Sequence, residues 1–442
     1  MEFEILKDVF NGNSDVKELS KHHPAEIANE LHEFEIEQVL QSLKQLKPAF
    51  SAKVIVETHD VVREKLLELC DIQTLMEWID TLPTDESAFL CSQLPEEKQE
   101  VILAKIPFEE RQGVSEILAY EEDQIGSMMQ KEVLKIKSEW TTSKAVESLR
   151  DQTDEDSIDN YHKAYVVDND DILQGEIPLM KLLIARPNLP IASLISEVDI
   201  ETTADLDTEE VAQNALKHNA YSVPVVDENR KLIGRVTLDD LGTVLQQEFE
   251  EDIGKMSGTG EEAAIENFHV SIRERLPWLL FGLVGGIILV FLLGAFEGRM
   301  KEHPEFVFFI PLIMSMAGNI GIQSCSIIVR GLSTGDIGIS DFFPRLFREI
   351  SLTLINGGVC SFCILIFGFI FFEEKAIGVL VAISLFAVML IAALFGVAIP
   401  LLLKMVKIEP AYATGPFITI GNDVMGITIF MGLGKWMLEN LL

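Results

Sequence analysis

From Leu276 onward, long uncharged stretches of the chain alternate with short charged ones. Leu276–Phe296, Phe306–Val329, Ile350–Phe372 and Ala376–Leu403 each run uncharged for 21 residues or more, enough to cross ~30 Å of hydrocarbon as helices. A fifth stretch, 410–434, is interrupted only by Asp423. Helices of soluble proteins keep a polar stripe, so five consecutive stretches apolar on every face read as membrane spans.

Upstream, apolar residues recur at helical spacing over residues 15–130. Proline next to a turn marks successive helix starts at His23-Pro24, Leu82-Pro83-Thr84-Asp85, Leu94-Pro95-Glu96-Glu97 and Ile106-Pro107-Phe108-Glu109. Short helices punctuated in this way predict a compact all-α superhelix. Residues 131–245 contain a repeat. Val166-Val167-Asp168 with Leu173, Gly175, Ile177 and Leu179 recurs 59 residues on as Val225-Val226-Asp227 with Leu232, Gly234, Val236 and Leu238. Each copy reads as strand, turn, strand and helix, a duplicated α/β module. Leu241–Glu266 is polar and acid-rich and leads into the first span. The expected domains are 1–130, 131–245, a linker helix at 246–270, and a membrane domain at 271–442.

Charge divides the chain at the same place. Of a net −35, residues 270–442 carry −1 and residues 1–269 carry −34. Such a field repels nucleic acid and anionic lipid and concentrates cations. Met1-Glu2-Phe3-Glu4 lacks the basic and hydrophobic regions of a signal peptide, so the acidic half is expected in the cytosol. Seven Lys and Arg then fall in inner loops and four in outer ones, as the positive-inside tendency requires. The expected location is the plasma membrane, multi-pass, N-terminus cytoplasmic and C-terminus outside. Cys70 and Cys91 lie in the cytosolic part and Cys325, Cys360 and Cys363 in lipid, which gives no disulfide framework.

Asp423 is the most informative single residue. A charge at mid-membrane costs at least ~2.5 kcal/mol and persists mostly where it faces a wet cavity or a cation path. On the second span Ser315, Asn319, Gln323, Ser326 and Arg330 recur every three or four residues as one polar stripe, and on the fifth Thr419 and Asp423 are one turn apart. Two such stripes read as a lined path, with Asn422 beside it. No nucleophile and base pair or phosphate-binding loop is evident, so an enzyme is not expected.

Two resemblances follow from these residues. The repeat resembles a tandem of cystathionine-β-synthase (CBS) modules. In Gly234-Arg235-Val236-Thr237-Leu238-Asp239-Asp240 the second copy fits that family's nucleotide signature. The resemblance implies Gly234, Thr237 and Asp240 as a candidate ATP contact, whereas the first copy, from Gly175 to Lys181, does not fit. The stretch Pro311–Ser324 with Val329–Gly335, Glu409-Pro410-Ala411 and Asn422-Asp423, preceded by Tyr120–Met129 at the N-terminal junction, resembles the MgtE family of magnesium channels over the whole chain. That implies a homodimer in the lipid bilayer with a pore between the second and fifth spans, lined by Ser315, Asn319, Gln323, Thr419 and Asn422 and selective through Asp423. It also implies closure by cytosolic Mg²⁺ at sensor positions matching Asp85, Asp207, Glu209, Asp240, Glu248, Glu251 and Asp252. Phe89, Asn219 and Thr243 stand where the family pattern has acids, and Gly415 and Thr419 also depart from it. The rival readings are an ion-coupled divalent cation exchanger or exporter, and a membrane nucleotide sensor that transports nothing.

Overall fold

The computed structural model describes residues 6–9, 15–152, 161–257, 268–298, 304–334, 337–372, 374–413 and 415–441. The chain forms two compact units, residues 1–245 and 246–442.

After a 3₁₀ helix at Val16–Lys21, the first unit runs through eight short α-helices: α1 (Pro24–Glu30), α2 (Ile36–Leu43), α3 (Pro48–Val56), α4 (Asp60–Leu69), α5 (Ile72–Ile79), α6 (Thr84–Ser92), α7 (Glu96–Lys105) and α8 (Phe108–Ile117). Proline starts α1 and α3 and immediately precedes α6, α7 and α8, as its fixed φ and missing N–H favour. Their inner faces bury one continuous core that includes Leu43, Ile55, Leu66, Leu75, Leu90 and Ile102.

Two α/β modules follow. The first holds β1 (Lys135–Lys137), α9 (Thr142–Gln152), β2 (Lys163–Val167), β3 (Leu173–Pro178) and α10 (Leu179–Ile184). The second holds β4 (Thr202–Thr203), α11 (Thr208–His218), β5 (Ser222–Val226), β6 (Leu232–Thr237) and α12 (Leu238–Ser257). Each sheet has three strands, a parallel pair and then an antiparallel pair. The repeated Val-Val-Asp ends in the same turn both times. Asp168 accepts from the N–H groups of Asp170 and Ile172, and Asp227 from those of Asn229 and Lys231, all at 2.8–2.9 Å. The repeated glycines are packing positions, since a Cβ on Gly175 would lie 2.3 Å from Ile195 and one on Gly234 2.3 Å from Met129. Between modules, buried Tyr165 and Ser222 share a 2.8 Å hydrogen bond.

The second unit holds five long helices, α13 (Phe268–Ala295), α14 (Ile310–Ser333), α15 (Phe342–Phe371), α16 (Lys375–Met405) and α17 (Pro416–Leu441). All are long and apolar enough to cross a membrane. α16 is central, packed by α14, α15 and α17, while α13 lies on α17. Small residues allow this: a Cβ on Gly396 of α16 would sit 2.8 Å from the Gly321 carbonyl of α14. The buried face of α15 is polar or small at Glu349, Thr353, Gly357, Ser361 and Gly368.

Two boundaries differ from the sequence reading. The fifth helix starts at Pro416, because 410–413 form a 3₁₀ turn. The third starts at Phe342 and carries Arg345, Arg348 and Glu349 into its first turns. A spanning helix therefore does hold a second acid, and Asp423 is not alone. The linker segment 258–267 lies outside the described residues.

Candidate functional site

Asp423 lies on α17 and is half-buried. On α14, Ser315, Asn319, Gln323 and Arg330 are exposed and Ser326 is half-buried, while Ile313, Ala317, Ile320 and Ser324 on the opposite side are buried. The predicted stripe is therefore a real face of the helix. Thr419 is half-buried, and its hydroxyl donates back to the Gly415 carbonyl at 3.4 Å.

Asn422 departs from the pore-lining expectation. It is 2% exposed, and Nδ2 donates to the Ala317 carbonyl of α14 at 3.3 Å. One position before Asp423 turns the side chain by about 100° around the helix. It thereby faces the α14 contact instead of the free surface.

The sensor candidates separate into three groups. Asp85 and Asp240 come together with Glu86, which the sequence reading did not single out. Asp85 is 6% exposed and receives a 3.2 Å bond from Gln130 Nε2, itself held by Arg235 at 3.0 Å. Its second oxygen, Asp85 Oδ1, and Glu86 Oε2 are buried with no hydrogen-bond partner. Burial, then Asp240, then Glu86 hold the Asp85 carboxyl well above its ordinary range. Burial and then Asp240 push Glu86 up to about 7, and burial pushes Asp240 up to about 6 against the stabilising bond from Thr237. Asp240 raises both Asp85 and Glu86, and the positive charges that act against this, Lys53 on Glu86 and Arg235 on Asp240, do not outweigh burial. Among the described residues no group of three or more His, Cys, Asp or Glu is drawn together as a finished metal site. Mg²⁺ suits such a place, because it binds through one or two carboxylates and keeps several waters.

Asp207 and Glu209 form the second group and stand apart from that cluster. Asp207 is the N-cap of α11, accepting from Glu210 N at 3.0 Å, and Glu209 accepts from Gln213 at 2.9 Å. Both have local structural partners. Two departures from the family pattern also have structural roles. Asn219 takes the left-handed C-cap of α11 at φ 52°, and Phe89 lies 4.5 Å from the Arg63 guanidinium.

Glu251 and Asp252, with half-buried Glu248, belong to α12 where it enters the second unit. Glu251 pairs with Lys255, whose ammonium is also 3.9 Å from Glu409. Asp252 accepts from Ser333 Oγ, at the end of α14. Met256 packs with Cys325, Val329, Ala411 and Ile418. The last turns of α12 are thus bound to the ends of α14 and α17. Lys255, Ser333 and Glu409 became visible as partners only in three dimensions.

The nucleotide signature resolves into a tight local pair, because Thr237 donates both its hydroxyl and its N–H to Asp240. Asp240 is therefore shared between that signature and the acid cluster.

Residues 310–433 match the MgtE model described as a divalent cation transporter, 22–123 the MgtE intracellular N domain, and 197–246 a CBS domain. The magnesium transporter MgtE of Bacillus subtilis strain 168 is 31% identical over 326 residues, 74% of this chain and 72% of the relative. The chain belongs to the MgtE family. The MgtE of Enterococcus faecalis is 30% identical over 322 residues, 73% of this chain and 71% of that one. Among solved structures, the soluble part of a magnesium transporter aligns at TM-score 0.50 and 24% identity, covering 56% of this chain and 97% of that one. The cytosolic domain of the Mg²⁺ channel MgtE in complex with ATP aligns at TM-score 0.51 and 24% identity, covering 54% and 98%. These two likenesses bear on the fold. A helical N domain, a CBS pair and five candidate membrane helices stand in that order along the chain.

Proposed function

We propose that this protein is a homodimeric Mg²⁺ channel of the plasma membrane that admits the ion down the membrane potential. In this reading the N-terminus is cytoplasmic and Asp423 of each protomer faces the two-fold axis. The observation that carries it is Asp423 on α17 together with the exposed polar face of α14. Amides turned to lipid would be costly, whereas a water-filled path between two protomers satisfies them. Two carboxylates holding a hydrated ion through its waters match the coordination habit of Mg²⁺. Asp423 is the ion-holding residue, and Asn422 keeps its helix seated on α14.

Influx needs a brake, since a divalent ion gains ~4.6 kcal/mol crossing ~100 mV. The proposed sensor is the Asp85–Glu86–Asp240 cluster, where bound Mg²⁺ offsets the burial and mutual repulsion that Lys53 and Arg235 leave uncompensated and favours the conformation that unites these residues. The proposed gate is α12, whose last turns hold the ends of α14 and α17. Magnesium uptake into liposomes containing purified protein tests the transport claim. Asp423→Asn keeps the side-chain shape without the anion, so uptake is expected to fall to the protein-free background. Wild-type uptake by folded Asp423→Asn protein would refute the pore assignment, and uptake that requires an opposing Na⁺ or proton gradient would favour the exchanger.

A further inference from the structure

The transport reading leaves one buried acid of the membrane domain unused. Glu349 is the eighth residue of α15 and is 8% exposed, inside a helix long and apolar enough to span the membrane. Its Oε2 accepts a 2.9 Å hydrogen bond from Ser324 Oγ of α14, which is 1% exposed. Among the described residues it forms no ion pair: Arg345, one turn earlier on α15, is half-buried but not paired with it, and Arg348 on α15, Arg330 on α14 and Lys404 on α16 are exposed. One turn further along α15, on the same face, Thr353 is 1% exposed and its Oγ1 has no hydrogen-bond partner. A helical threonine commonly bonds a carbonyl of the preceding turn, so this orphan hydroxyl calls for another ligand.

We propose that Glu349, Thr353 and Ser324 form a binding site for one Na⁺ ion, separate from the conduction path. The chemistry selects the ion in two steps. All three donors are hard oxygens, which suits an alkali or alkaline-earth cation over a transition metal. One carboxylate with two neutral hydroxyls balances a single positive charge, whereas a divalent ion would leave an uncompensated charge in a low-dielectric interior. Close packing fixes the donors: a Cβ on Gly396 of α16 would lie 2.7 Å from the Ser324 Cβ, so α16 closes the site from behind. A cation there ties α15 to α14, the helix that carries the polar stripe.

The test measures thermal unfolding of full-length purified protein in NaCl, KCl or N-methyl-D-glucamine chloride at constant ionic strength and pH, without divalent ions. Ligand that binds the folded state raises Tm with concentration. A saturable rise with Na⁺ is expected, absent with N-methyl-D-glucamine. Loss of a group that supports a bound metal ion weakens affinity about tenfold or more, so Thr353→Val and Ser324→Ala should each shift the half-saturating Na⁺ concentration upward by about that factor. Glu349→Gln should abolish the rise, and Thr353→Val, nearly isosteric, carries the test if that variant does not fold. Asp423→Asn should retain the Na⁺ response in full, which keeps this claim distinct from the pore. Equal Tm in Na⁺ and N-methyl-D-glucamine, an equal response to K⁺, or an undiminished rise in Thr353→Val would overturn it.

Discussion

Asp252 on α12 accepts a hydrogen bond from Ser333 Oγ at the C-terminal end of α14, which fastens the linker helix to the helix bearing the polar stripe. Lys255, one turn on, adds its pairing with Glu251 and the longer contact to Glu409. Burial raises the carboxyls of both Asp252 and Glu409, so both are sensitive to losing a partner.

Removing a hydrogen bond to a charged group costs about 1.5–3 kcal/mol. Ser333→Ala should therefore weaken the docked state, and the Mg²⁺ concentration that half-closes the pore should rise about tenfold. Current or uptake measured against internal Mg²⁺ checks this. An unchanged closing concentration in Ser333→Ala and in Lys255→Ala alike would show that the contact is not part of the gate.

The acid cluster predicts a pH dependence of opposite sign to that of an ordinary salt-bridged carboxylate. Glu86 moves from 4.5 to about 7 and Asp240 from 3.8 to about 6 on folding. Between about pH 4 and 7 the folded chain thus keeps protons that the unfolded chain has released, and stability falls as pH rises through that window. At about 1.36 kcal/mol per pKa unit, Glu86 alone represents on the order of 3 kcal/mol. Without Mg²⁺, the cytosolic unfolding transition should come at higher temperature at pH 5 than at pH 8. Mg²⁺ should raise it strongly at pH 8 and little at pH 5, with proton release on binding near pH 6.5. Calorimetry at both pH values decides this, and a Mg²⁺ response independent of pH would place the sensor elsewhere.

Much of this was legible in one dimension. Charge-free runs define spans without tertiary information, and the fixed spacing of Val166-Val167-Asp168 and Val225-Val226-Asp227 exposed the duplicated module. Asp423 stood out because its surroundings are apolar. Glu349 did not, because it is the residue just before the uncharged run, although the helix continues outward to Phe342. Nor can spacing show that Glu86 and Asp85 meet Asp240, since that proximity is tertiary. Asp207 shows the converse, an acid matching a sensor position whose carboxylate is occupied by its own helix.

That occupation makes Asp207 separable by substitution. Serine caps helices about as well as aspartate, whereas alanine costs about 1 kcal/mol. Asp207→Ser should leave Tm and Mg²⁺ closure near wild type, while Asp207→Ala should lower Tm of the cytosolic unit. Loss of closure in the serine variant would restore Asp207 to the sensor.

The contact between α14 and α17 beside Asp423 is steric as well as polar. A Cβ on Gly321 would lie 1.9 Å from Asn422 Nδ2 and 3.2 Å from the Ile418 methyl, and Asn422 has no room to turn away because it is 2% exposed. Overpacking of this kind costs about 1–3 kcal/mol, so Gly321→Ala should lower Tm of the membrane domain and shift Asp423, the residue after Asn422 on α17. Asn422→Ala alone should be mild, since it removes one 3.3 Å bond together with the unpartnered Oδ1. The pair should then be non-additive, with Gly321→Ala/Asn422→Ala more stable than Gly321→Ala alone and Mg²⁺ uptake partly restored. Strict additivity in Tm, with no recovery of uptake, would show that the two side chains do not meet in the membrane.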